Sequence, residues 1–238
     1  MKAPMRMLTA CMLMVTACSI FAACGIDTFA ALANDPTAKS SDSTSLQFLG
    51  PASPLDSNYL GVEIFYRIYA SSADAETDRN YVLSRQSAQN SVPGAIIKSY
   101  LTAATPGGLG YLNPVLVSKP DNIPTLLDAD LGLGSADYYV NITFPTETGI
   151  QPKLEIFDGS PVPASYDLRR NVTDASVYKS FIDLEPTTGD ADYRSNLGES
   201  DRTYFVQFFA ASYGIDIEYF NELYGDAVYI GLITINFY

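Results

Sequence analysis

The chain has no histidine and no tryptophan in 238 residues, and its three cysteines all fall within the first 24. Without histidine, the commonest general base and metal ligand is missing, which excludes Ser-His-Asp and Cys-His catalysis. Positive charge is scarce as well: 14 Lys and Arg face 27 Asp and Glu, a formal net charge of −13. Arg169-Arg170 is the sole adjacent basic pair. Binding phosphates takes clustered Lys and Arg, so nucleic acid is excluded as a partner and anionic headgroups should be repelled. Neither G-x-S-x-G, a Walker loop nor a G-x-G-x-x-G between strand and helix occurs. The expectation is a protein that is not an enzyme and carries no cofactor. What the chain does have is apolar mass: 47% hydrophobic residues, with 17 Tyr and 12 Phe. That composition belongs to packed globular proteins rather than disordered ones.

Lys2 and Arg6 precede an apolar run, Leu8–Ala23, that ends in Phe21-Ala22-Ala23-Cys24-Gly25. The run is short of the roughly 18–20 apolar residues that a membrane-spanning helix needs. A basic start, a short apolar centre and a small-residue end instead fit a cleaved signal. This stretch resembles the signal sequence of bacterial lipoproteins, in which a lipobox of one larger apolar residue and two small ones precedes a cysteine. The resemblance implies that residues 1–23 are removed, that the Cys24 thiol takes a diacylglycerol, and that the new amino terminus is acylated. Two other sites stay open: a second lipobox at Val15-Thr16-Ala17-Cys18, and an A-x-A site, Ala31-Leu32-Ala33, before Asn34. All three export the protein.

With Cys24 acylated, the mature chain has no free thiol and no disulfide, so its core alone must hold it together. Loss of residues 1–23 removes Lys2 and Arg6 and no acid, leaving 12 basic against 27 acidic residues, a net of −15. Membrane contact then falls to the lipid alone. Gly25 stands where some bacteria use Asp to retain a lipoprotein in the inner membrane, which points to the outer membrane. The face on which the protein sits is left open.

Residues 24–43 turn Ser/Asp/Thr-rich and read as a flexible tether. Residues 44–238 read as one β-rich globular domain with insertions. Period-2 alternation predicts strands over Ser45–Leu49, Val62–Tyr69, Gly110–Ser118, Tyr138–Phe144, Lys153–Phe157, Ser165–Arg170, Ser176–Leu184, Thr203–Ser212 and Asp226–Tyr238. One or two short helices are expected around residues 78–104: one capped by Thr77 or Asp78 and running to Gln89, and one over Ala95–Ala104. In the latter, Ile96, Ile97, Tyr100 and Leu101 share a stripe. Ser71–Asp78, Pro120–Gly134 and Gly189–Ser200 read as loops, and Gly231 as a bulge.

The run YFVQFFAASYGID, a connection, and then AVYIGLITI resemble the final hairpin of fibronectin type III-like sandwiches, and Val62–Tyr69 is similar to their Tyr-rich core strand. The resemblance implies a mainly β fold, an antiparallel fibronectin type III/Ig-like β-sandwich. Residues 70–202 separate the matching pieces, so the choice is between a sandwich with large insertions and two packed β-layers of another topology.

Close acid pairs, Asp128 with Asp130 and Asp190 with Asp192, are candidate calcium ligands, read otherwise as solvated loop acids. The connection Tyr213–Gly225 carries Ile217, Tyr219, Phe220, Leu223 and Tyr224, more apolar surface than a hairpin loop needs. It is expected to fold back as a short helix over the end of the sandwich, the alternative being a contact patch. The functional expectation is an envelope lipoprotein with a structural or interaction role and a protein or glycan partner. A glycan- or calcium-binding surface module and a carboxylate-based hydrolase are its rivals.

Overall fold

The computed structural model describes residues 31–32, 34–52, 57–88, 92–104, 106–119, 125–127, 138–147, 149–174, 177–195 and 202–237. In chain order the strands are β1 (Thr37–Ser41), β2 (Ser45–Leu49), β3 (Tyr59–Tyr69), β4 (Val115–Val117), β5 (Thr125–Leu127), β6 (Tyr138–Thr143) and β7 (Lys153–Asp158). They continue as β8 (Ala164–Arg169), β9 (Thr173–Asp174), β10 (Val177–Tyr178), β11 (Tyr193–Arg194), β12 (Thr203–Ile215), β13 (Glu222–Tyr224) and β14 (Val228–Asn236). Helix α1 spans Ser72–Gln86; α2, Pro93–Ala95, runs straight into a π-helical turn, Ile96–Leu101.

One sheet orders β1-β2-β6-β7-β8-β4, antiparallel throughout. The other is built on β3 and β12, antiparallel from Phe205↔Tyr69 to Gly214↔Tyr59. β14 and β13 divide the outer edge of β12, while β5 and β11 divide that of β3, β11 running parallel to it. The two sheets pack face to face as a mainly β sandwich, as the sequence pattern predicts.

Alternation explains the layers. Val62, Ile64, Tyr66 and Ile68 of β3 and Val206, Phe208 and Ala210 of β12 face the first sheet, where they meet Leu46, Phe48, Val140, Ile142, Leu154 and Leu168. Their neighbours Phe65, Tyr69, Phe209 and Ala211 face the opposite way, under Ala75 and Val82 of α1 and Ile96, Ile97 and Leu101 of the π turn. Sheet β3/β12 is therefore buried on both faces, which accounts for the aromatic content of the second face of β3. β14 carries its bulge where Gly231 pairs Phe208 and Tyr229 pairs Phe209. A Cβ at 231 would collide with the Leu46 side chain and approach Ser41 Cβ at 2.9 Å, so only glycine fits there.

Several elements depart from expectation. Ser71–Asp78 is not a loop: Ser71 caps α1, its Oγ accepting from Ala73 N–H at 3.1 Å, and the helix stops at Gln86. Asp74 follows three residues after Ser71, in the spacing of a capping box. The second helix ends at Leu101 because Thr102 N–H reaches the Ile97 carbonyl at 2.9 Å, an i→i−5 bond that makes the turn a π turn. That wider turn buries Leu101 and leaves Tyr100 only partly covered. Thr37–Ser41, in the expected tether, forms edge strand β1 with all five residues exposed. The strands foreseen over Gly110–Ser118 and Ser176–Leu184 shrink to Val115–Val117 and Val177–Tyr178. Within the expected loops, Thr125–Leu127 and Tyr193–Arg194 pair with β3.

Candidate functional site

The acids proposed as calcium ligands divide. Asp128 and Asp130 lie outside the described residues. Asp190 and Asp192 meet Arg170, which follows β8 two residues beyond the core residue Leu168 and so faces inward, with no exposed surface. Arg170 Nε and Nη2 donate to the two carboxylate oxygens of Asp192 at 2.9 and 2.7 Å, and Nη2 donates to Asp190 at 2.6 Å. Lys179 reaches the other Asp190 oxygen at 2.8 Å. The Tyr66 hydroxyl donates to Asp192 at 2.7 Å and accepts from Asn171 N–H at 2.6 Å.

Two cations and two anions balance, which is the condition under which such groups can be buried. Burial would raise the Asp190 pKa, but the bonds from Lys179, Thr187 N–H and Arg170 outweigh it and hold it down at about 2. Burial would likewise lower that of Arg170, and the two aspartates push it up instead. Burial, followed by the charge of Asp192, raises the Tyr66 hydroxyl well above its ordinary value. All four carboxylate oxygens are occupied, and the cluster staples the segment 179–192 to the sheet. Asp190 and Asp192 are structural ion-pair partners here rather than solvated loop acids or an open cation site.

A second buried network lies under α1. The Tyr69 hydroxyl sits 2.9 Å from both Asp78 and the Tyr111 hydroxyl, and Tyr111 bonds Gln207. Gln207 donates to the Ala75 carbonyl at 2.9 Å, and Arg194 closes the network on Asp78 at 2.5 Å. Asp78 is thus a buried acid inside the helix, not its cap.

The connection after β12 takes neither of its expected forms completely. β12 continues to Ile215 and turns tightly into β13, without a helix. Asp216 Oδ1 accepts from the N–H groups of Glu218 and Tyr219 at 2.8 and 3.2 Å, and the Asp216 carbonyl accepts from Phe220 N–H at 2.7 Å. Phe220 takes φ 55° to complete the turn. Asp216 closes this loop as an Asx turn in place of the expected helix. The five apolar residues then separate: Leu223 and Tyr224 are buried, while Ile217, Tyr219 and Phe220 are 76, 66 and 82% exposed.

Beside this hairpin runs the first described segment of the chain. Leu32, 4% exposed, donates its N–H to the Tyr224 carbonyl at 3.2 Å. The Asn34 carbonyl accepts from Ser212 Oγ at 2.5 Å, and Asp35 Oδ1 accepts from Asp226 N–H at 2.8 Å. A Cβ at 225 would collide with that Asp35 oxygen, so Gly225 is what lets the segment lie close. Burial lifts the Asp35 pKa to about 6, with the Asp226 N–H working against the rise and the Asp226 charge adding to it.

At the opposite end of β12 a cleft of about 360 Å³ opens, lined among others by Phe144, Glu147, Asp183, Arg202, Ile235 and Phe237. Arg202 also pairs with Glu185 at 3.2 Å, and Gln151 bonds Asp183. No residue of the cleft was singled out from sequence, since loops far apart in the chain build it.

The fold places the protein in the class of β-sandwiches, here with a helical layer over the second sheet. In comparisons with known proteins, no family model, no curated protein and no solved structure matches the chain.

Proposed function

We propose that the protein is a lipid-anchored lipoprotein of the cell envelope, held through Cys24, whose β-sandwich acts by surface contact in a structural or interaction role. The observation that carries this reading is Leu32. It is buried and bonded to β13, so cleavage after Ala33 would discard part of the packed domain. Cleavage before Cys24 or Cys18 retains it, which supports a lipobox over ordinary secretion. Outer-membrane residence, suggested by Gly25, belongs to the same proposal. So does the likeness to fibronectin type III-like sandwiches, which the antiparallel β12–β14 pairing supports.

Mass spectrometry of the mature amino terminus tests the anchor. A diacylglyceryl group on Cys24 is expected, and Cys24→Ser should leave the protein uncleaved or soluble. An unmodified terminus at Asn34 would overturn the reading.

A second reading, a glycan-binding module, has the cleft in its favour, because aromatic side chains beside charged and polar ones suit sugar rings and hydroxyls. Saturation-transfer NMR against a glycan panel tests it. Transfer that vanishes in Arg202→Ala supports the module, and no transfer from any glycan counts against it.

A further inference from the structure

We infer that the hairpin tip Ile217–Phe220 is a second membrane contact, placing its apolar side chains into the headgroup–acyl boundary of the leaflet that holds the lipid on Cys24. This inference rests on the lipoprotein reading and deepens it, because from the sequence membrane contact falls to the lipid alone.

Three observations carry it. The first is chemistry. Three of four consecutive residues at a turn, one isoleucine and two aromatics, are at least 66% exposed. Tyr and Phe suit the interface between headgroups and acyl chains, where an amphipathic or apolar ring finds partners on both sides. The backbone of the turn is already bonded: Glu218, Tyr219 and Phe220 all donate to Asp216, and Asp216 N–H donates to the Asn221 carbonyl at 2.8 Å. Such a turn can leave water with few unsatisfied amides.

The second is position. Residues 32 to 35 run alongside 224 to 226 in the same direction, Leu32 on Tyr224 and Asp35 on Asp226. Followed backward, the chain therefore heads toward the tip, which lies four residues before Tyr224, roughly 13 Å at strand spacing. Only residues 25–30 separate Ala31 from the acylated position, a span of at most roughly 25 Å. Ala31 and the tip thus share one end of the domain, and a lipid on Cys24 would hold that end within a short tether's length of the bilayer.

The third is charge. Asp216 turns its carboxylate into the loop, and Glu222 is paired with Lys98 at 2.7 Å. Exposed Glu218, between Ile217 and Tyr219, is an acid that belongs at the level of the headgroups, and with the acidic domain as a whole it selects against an anionic leaflet. The lipid surface that fits is zwitterionic.

The chain lacks tryptophan, so Phe220→Trp installs a single reporter. The full-length variant would be produced in a lipoprotein-processing bacterium and its Cys24 modification read by mass spectrometry. It would then be reconstituted into phosphatidylcholine vesicles containing acyl-brominated lipid. Emission from F220W should shift to shorter wavelength and lose most of its intensity to bromine. Emission from Ile150→Trp, in the β6–β7 loop near the cleft end, should stay water-like and unquenched. Tyr219→Trp repeats the measurement should F220W strain the left-handed turn. Unquenched, water-like emission from both tip variants in protein that carries its lipid and floats with the vesicles would overturn the tip contact while leaving the lipoprotein reading intact. A terminus without lipid would instead remove the anchor on which both stand.

Discussion

Arg170 is fully buried, and a guanidinium survives there only because two aspartates meet it with three hydrogen bonds. Removing Arg170 leaves Asp192 without a cation and Asp190 with Lys179 alone, both out of water. Arg170→Met should therefore cost about 3–5 kcal/mol, the usual loss when one partner of a buried pair goes, and a urea melt measures it. Asp190 adds a pH dependence. Its folded pKa of about 2 lies below the ordinary carboxylate value, so its contribution is complete above about pH 4 and is lost as pH falls toward 2, roughly 2–3 kcal/mol in all.

Asp35 works in the other direction. Its folded pKa of about 6 is raised, so the folded state holds the proton more tightly and stability falls as pH climbs from about 4 to about 6. Asp35→Asn keeps an oxygen for Asp226 N–H and removes the charge. Urea melts at pH 3.5 and pH 8 should show the variant stabilised by roughly 1–3 kcal/mol at the higher pH and little changed at the lower. An unaltered pH profile would contradict the assignment.

At the scale of elements, β14 and the first described segment matter most. β14 pairs β12 from Asn236 to Val228, and Ile233 has no exposed surface. Ile233→Ala should cost about 2–5 kcal/mol through lost burial and the cavity left behind, and deleting Leu232–Tyr238 should abolish cooperative folding by circular dichroism. For the amino-terminal region the structure changes the expectation. Removing residues 24–30 from soluble protein should leave the melting temperature nearly unchanged. Removing residues 24–35 should lower it by several degrees, because Leu32 and the bonds of Asn34 and Asp35 go with them. Equal melting temperatures for the two deletions would show that this segment contributes nothing.

Across the whole molecule, β3 and β12 have one face in each of the two cores. Neither core can be lost while the shared sheet remains intact, so the domain should unfold in one cooperative step. Val82→Ala under α1 and Ile233→Ala between the sheets should each move a single midpoint, identical by near- and far-ultraviolet circular dichroism. Separate transitions for the two signals would mean that the cores are independent.

Alternation in Val62–Tyr69, Thr203–Ser212 and Asp226–Tyr238 was enough to read the sheets, because a strand facing a core must repeat every second residue whatever its partners. The same rule places Arg170 inward behind Leu168. Its partners were not legible: Asp190 and Asp192 lie about twenty positions further along, and their proximity in sequence looked like a cation site until Arg170 filled the space between them. Nor could the exposed tip be told from a buried cap. Ile217, Tyr219 and Phe220 carry the same apolar signal as Leu223 and Tyr224, and only the turn closed by Asp216 turns three of them outward. Local periodicity follows from each residue's own backbone, whereas charge pairing and exposure depend on which distant segments arrive to cover a side chain, and that was decided by the tertiary structure.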